Sequence, residues 1–401
     1  MPPHPSPRTL VTVLLLAEVL GMMGTMTVPA LLPVFKDDWG LSNTAAGWLS
    51  GVVQLGYVAA VLPLLSLTDR LDSRRIYIAC TALSAVSCAG FAAFADGFWS
   101  AMAWRALGGI GLAGTYMPGL RILNDHTAGH PQQSRYLSFY TATYGIGTAL
   151  SVALAGLLAE WAHWRWAFWT AAALGGLTVL LALRWVPATR PAAPAGPGAV
   201  FDFRPVLRNR AAMGYVLAYA AHCWELFGFR AWLVAFLAFA LGAPAGVVPA
   251  EAAVLGTVAI LLGVPASILG NEAAVRWGRD RFLTAIMLAS AALAAVIGFT
   301  AGLPFALLAL LVMVYGCTVT ADSASLTVGL VGAAPGGRRG AAMAIHSLFG
   351  FGAAFVAPVA FGLLLDLGGG AASLTGWGVA FAHLGLVVAL GPLLLRRMRG
   401  A

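Results

Sequence analysis

The sequence predicts an all-α integral membrane protein. Twelve transmembrane helices are expected, in two pseudo-symmetric six-helix bundles, with both termini in the cytoplasm. Three observations carry this. Of 401 residues, 60% are hydrophobic and 9% are charged, where a soluble domain carries about 25% charged residues. Apolar windows recur at the ~20-residue length that a helix needs to cross a bilayer. Basic residues fall on alternate connections, the pattern that sets orientation in a membrane.

Helices are expected at about 9–34, 43–67, 75–95, 98–120, 134–158, 162–185, 211–240, 250–270, 281–301, 304–331, 338–365 and 373–395. The first follows Arg8. Glu18 interrupts its apolar run, which then resumes to Phe35; a membrane helix fits better than a cleaved leader. "HWRWAFW" at 163–169 reads as an aromatic belt at the outer interface. The stretch 186–210, "VPATRPAAPAGPGAVFDFRPVLRNR", is rich in Pro, Ala and Gly and then basic. It cannot span a membrane and reads as a cytoplasmic linker between an N-terminal bundle, 1–185, and a C-terminal bundle, 211–401.

With the N-terminus inside, the cytoplasmic segments hold nineteen arginines and the outer segments hold only Lys36 and Arg165. Arg105 and Arg230 fall inside helices. The net charge of +8 is therefore a topology signal, and no nucleic-acid partner is expected. Cys80, Cys88, Cys223 and Cys317 lie in apolar runs without CxxC spacing. They read as small core hydrophobes, so neither a metal nor a cofactor is expected.

The halves repeat. "EVLG" at Glu18 matches "ELFG" at Glu225, an offset of 207. The basic loop ending Arg74-Arg75 matches the one ending Asp280-Arg281, an offset of 206, which sets Arg70 on Arg276. "YGIGTALSVALAGLLAE" from Tyr144 matches "FGFGAAFVAPVAFGLLLD" from Phe349, an offset of 205. Three matches in chain order at nearly constant offset indicate an internal duplication. Parallel six-helix repeats describe one large transporter architecture.

At these residues the sequence resembles the major facilitator superfamily, over essentially its whole length. "LSLTDRLDSRR", 65–75, is similar to that family's loop between helices 2 and 3. Asp69, Arg70, Arg74 and Arg75 fit its pattern, while Leu65 and Asp72 stand where the family has glycine. The resemblance implies a cytoplasmic latch built from these residues and Arg276. "RALGGIGLAG" at Arg105–Gly114 resembles the family's helix-4 motif. Its Gly108, Gly111 and Gly114 recur every three residues and allow close helix approach. The resemblance also implies a monomeric, multi-pass protein of the cytoplasmic (inner) membrane, with helices 1, 4, 7 and 10 lining a central cavity.

Intramembrane charge is expensive and marks function. Glu18 falls on helix 1, Arg105 on helix 4, His222, Glu225 and Arg230 on helix 7, Asp322 on helix 10, His346 on helix 11 and His383 on helix 12. His222 and Glu225 are three apart and share a helix face. Glu225 and Arg230 are separated by about 140° and about 7.5 Å, with Gly228 between them as a place to bend or unwind.

Glu18, Glu225 and Asp322, with His346, are the candidate proton-coupling residues; histidine titrates near physiological pH. Arg105 and Arg230 suit fixed positive charges that receive an anion. With His222, Gln54, Tyr57, Tyr116 and Tyr144 they form the candidate substrate site. The alternative is that each arginine pairs with an acid, Arg230 with Asp322 and Arg105 with Glu18. His383 reads as a structural hydrogen-bonding residue.

The expected function is secondary active transport, proton-coupled, of a small organic anion by alternating access. The expected partners are that substrate, protons and the lipid bilayer. An exporter of drugs or amphipathic metabolites is the alternative, and a non-transporting membrane sensor ranks third. No Walker A, HExxH or GxSxG motif is present, so an enzyme is not expected.

Overall fold

The computed structural model describes residues 6–68, 71–188, 203–336 and 338–399. Regular structure among them is entirely helical. Ten helices among them are long and apolar enough to cross a membrane. The expected first and fourth helices are not among the ten, because each is discontinuous. The first consists of α1 (Pro7–Gly21), α2 (Thr27–Ala30) and α3 (Leu32–Asp38). After α4 (Asn43–Thr68) and α5 (Ser73–Phe94), the expected fourth is split into α6 (Phe98–Ala113) and α7 (Tyr116–His126).

The sequence explains both breaks. "GMMGTMTVP" follows α1 and "GT" follows α6, and glycine is a poor helix interior. Threonine hydroxyls then take the freed carbonyls: Thr25 donates to Met22 O at 2.7 Å and Thr115 to Leu112 O at 2.9 Å.

The chain continues through α8 (Gln133–Trp161) and α9 (Arg165–Trp185). The expected 186–210 linker contains one short helix, α10 (Arg204–Arg208); its residues 189–202 lie outside the described residues. Then come α11 (Arg210–Ala240), α12 (Ala250–Trp277) and α13 (Arg279–Ile297). The expected tenth helix is α14 (Phe305–Ala321) and α15 (Ser323–Ala333), abutting at Asp322. Last are α16 (Arg339–Leu367), α17 (Leu374–Val388) and α18 (Leu390–Arg399).

The chain forms two compact units. One contains Met1–Thr27 and Val52–Pro197, the other Val28–Gly51 and Gly198–Ala401. Residues Val28–Gly51 therefore group with the later helices. Asp366, near the end of α16, shows why. Its carboxylate accepts from the Asn43 backbone N–H (3.1 Å) and side-chain amide (2.7 Å), and from the Thr44 N–H (2.8 Å) and hydroxyl (2.6 Å). These are otherwise orphaned donors at the N-terminus of α4, where an anion is also favoured by the helix dipole. Lys36 donates to the Asn43 side-chain oxygen.

In the first unit, the glycine stripe of α6 packs as its spacing predicts. A methyl at Gly108 would lie 2.7 Å from Ser87 Oγ, and one at Gly111 would lie 2.8 Å from the Cys80 carbonyl, both on α5. Gly109 sets α6 equally close to α4, with a methyl there meeting Tyr57 N at 3.0 Å. The second unit is built around α11, whose side chains are buried on all faces from Cys223 to Ala238 with few exceptions. An all-round apolar helix of this kind belongs in a core.

Candidate functional site

The first unit holds a carboxylate among tyrosines. Glu18 lies in the last turn of α1 and is 2% exposed. Tyr140 of α8 donates its hydroxyl to Glu18 Oε2 at 2.9 Å. Glu18 Oε1 is buried with no hydrogen-bond partner. Tyr116 stacks on Tyr140 with centroids 5.7 Å apart, and Tyr144 meets Tyr116 edge-on at 5.4 Å. Tyr57 and Gln54 on α4 are buried, and Gln54 Oε1 has no hydrogen-bond partner. Tyr140 was not among the sequence candidates. It lies one turn before Tyr144 on the same helix face, and that spacing was the available signal.

Arg105 does not pair with Glu18. Its Nη1 donates to Gly24 O and its Nη2 to Thr25 O, each at 2.9 Å. Ser151 of α8 completes the arrangement: its hydroxyl donates to Met23 O at 2.7 Å and accepts from Met26 N at 3.0 Å. The break after α1 thus has its backbone groups satisfied by two neighbouring helices, the condition for irregular backbone within a membrane. Arg105 serves that break with both terminal nitrogens.

The second unit gathers His222, Asp322 and His346. His222 Nδ1 lies 2.7 Å from Asp322 Oδ1, and both residues are 2% exposed or less. The approach is close but does not have the alignment of a hydrogen bond. Tyr219 links the two histidines as a stacked plate, 5.5 Å from His222 and 3.6 Å from His346 between centroids. His346 Nε2 lies 3.3 Å from Thr327 Oγ1. Asp322 stands at the junction of α14 and α15, where it meets His222.

Glu225 turns elsewhere. It shares the α11 face with His222, but its Oε1 accepts from Ser290 at 2.8 Å and Tyr315 at 3.1 Å. Its Oε2 is buried without a hydrogen-bond partner. Arg230 lies about 12 Å along the axis from His222 and is 7% exposed. The helix does not unwind at Gly228: α11 runs unbroken from Arg210 to Ala240. Gly228 instead admits Leu384 of α17, whose Cδ1 would lie 3.3 Å from an added methyl. His383 bonds the Ala380 carbonyl, as a structural residue does.

Of the expected latch, Asp69 and Arg70 lie outside the described residues. Arg74 donates to Leu183 O at 2.7 Å, capping the C-terminal end of α9. Asp72, which stands where the family has glycine, accepts from Arg74 N at 2.9 Å and caps α5. Arg75 is exposed. Arg276 lines a cavity between α12 and α13.

The chain belongs to the Major Facilitator Superfamily, whose family model matches residues 14–326. It is thus a multi-pass membrane protein of a transporter family. It is 27% identical over 220 residues to the uncharacterized transporter YgaY of Escherichia coli O157:H7, a match covering 53% of this chain and 55% of that one. It is 28% identical over 188 residues to the multidrug transporter mfsC of Aspergillus fumigatus, covering 46% and 36%. The chain thus spans about half or less of the length of these curated relatives. Among solved structures, it resembles a bacterial homolog of the human lysosomal transporter Spinster, inward-facing and unoccupied. There the TM-score is 0.74 at 16% identity, covering 98% of this chain and 95% of that one. That likeness is one of fold.

Proposed function

We propose that the protein is a proton-coupled secondary transporter of small organic anions, working as a monomer in the cytoplasmic membrane by alternating access. The observation that carries the reading is the buried contact of His222 with Asp322 at the α14–α15 junction. A buried carboxylate without a partner is costly. A histidine beside it makes its charge state depend on one proton, and the site then couples proton movement to whatever else enters it. Arg230 supplies a cation that does not titrate and suits a carboxylate, sulfonate or phosphate. Discontinuous helices such as α1–α3 and α6–α7 are typical of transporter midplane sites.

A second reading is export of drugs or amphipathic compounds. It is favoured by Arg105, whose terminal nitrogens are committed to backbone carbonyls, which removes one of the two intramembrane arginines from the candidate anion site. It also agrees with the name of the A. fumigatus relative. Purified protein in liposomes enclosing a pH-sensitive dye separates the two. Small organic anions should trigger proton movement, and Arg230→Ala should abolish it. Proton movement with lipophilic cations alone would overturn the anion reading.

A further inference from the structure

We propose that the groove between the end of α12 and the start of α13 binds an anionic phospholipid. The groove encloses about 690 Å3. Arg276 and Arg281 stand at one end and Trp277 beside them, 66% exposed. From Arg281 the lining runs along α13 through Ala285 to Ala289, with Ile286 alongside. Residues 281, 285 and 289 succeed one another by one helical turn, so they form a stripe about 12 Å long. The two alanines are the smallest side chains of the lining, which also includes Phe282.

The lining carries two guanidinium groups and no carboxylate among the described residues. Glu272, Arg279 and Asp280 are near in sequence but outside it. The positive-inside pattern assigns this end to the cytoplasm. Basic pockets between helices on that side take acidic headgroups, and guanidinium groups suit a phosphodiester. Tryptophan at the mouth suits the headgroup level. A free inorganic anion would use the arginines but leave the apolar stripe empty; a lipid uses both.

The matching part of the first unit differs at one described residue. There Arg74 closes onto the Leu183 carbonyl. At the matching offset of 206 the second copy has Asp280, a side chain that cannot donate to a carbonyl when ionised. The second copy thus has no arginine at the capping position, and its Arg276 and Arg281 line the groove.

The test uses the full chain, purified in neutral detergent, with bound lipid read by native mass spectrometry. Phosphatidylglycerol and phosphatidylcholine of identical chains compete in equal amounts. Phosphatidylglycerol should be retained about tenfold more strongly. Arg276→Gln with Arg281→Gln should remove that preference, and Ala289→Trp should weaken retention by filling the stripe. Arg279→Gln, an equal loss of charge outside the lining, should leave retention unchanged. Equal retention of the two lipids would overturn the proposal. So would an Arg279→Gln effect as large as that of the pair, or glycerol phosphate displacing the lipid at equimolar concentration.

Discussion

Glu18 and Glu225 hold equivalent places in the two repeats, yet their surroundings differ. Glu18 takes one tyrosine hydroxyl and lies a turn before a break in its helix. Glu225 takes a serine and a tyrosine hydroxyl and lies inside an unbroken helix. The arginines diverge as well. Arg105 is held by backbone carbonyls, while Arg230 lies along the continuous α11. The second unit adds His222 against Asp322. The duplication has kept the position of the acid and changed what surrounds it. By this account the first unit holds a structural joint and the second holds the proton-dependent chemistry.

The comparison breaks most readily at His222. His222→Ala leaves Asp322 buried without its partner, and losing one member of a buried pair costs about 3–5 kcal/mol. Thermal unfolding in detergent should show a large fall, largely restored by the further change Asp322→Asn. A double variant as unstable as His222→Ala would show that the pair is not coupled.

Arg105→Gln should cost about 1.5–3 kcal/mol of stability, the range for a charge-assisted hydrogen bond. Protein that remains folded should keep its affinity for substrate. Arg230→Ala should do the reverse, weakening an anionic substrate about tenfold or more, the equivalent of losing roughly 1.4 kcal/mol of binding. Matching phenotypes for the two arginines would erase the distinction between joint and site.

The smallest effects belong to the tyrosines. Tyr140→Phe and Tyr315→Phe each remove one hydrogen bond to a carboxylate, worth about 0.6–2 kcal/mol within a membrane. Glu225 keeps Ser290 as a donor, so Tyr315→Phe should cost less than Tyr140→Phe. The reverse order, seen in unfolding midpoints, would mean that Ser290 is the weaker partner.

Composition and the recurrence of apolar windows made the membrane class legible. The list of intramembrane charges was legible too, because such residues are rare in apolar runs. Their partners were not. Arg105 binds carbonyls that become available only because the first helix breaks after Gly21, and Ser151 reaches the same break from 125 positions away along the chain. His222 and Asp322 lie a hundred positions apart, and only packing decides that Asp322 meets His222. Gly228 looked like a hinge from its own helix; its role is to admit Leu384 from another. Local pattern marked which residues carry chemistry, and tertiary approach decided what each one touches.

The most direct test compares Asp322→Asn with Glu18→Gln in liposomes, measuring substrate exchange at equal pH and substrate accumulation driven by a pH gradient. The account predicts that Asp322→Asn keeps exchange and loses gradient-driven accumulation, while Glu18→Gln retains both. Full accumulation by Asp322→Asn, or its loss in Glu18→Gln alone, would contradict the placement of proton coupling in the second unit.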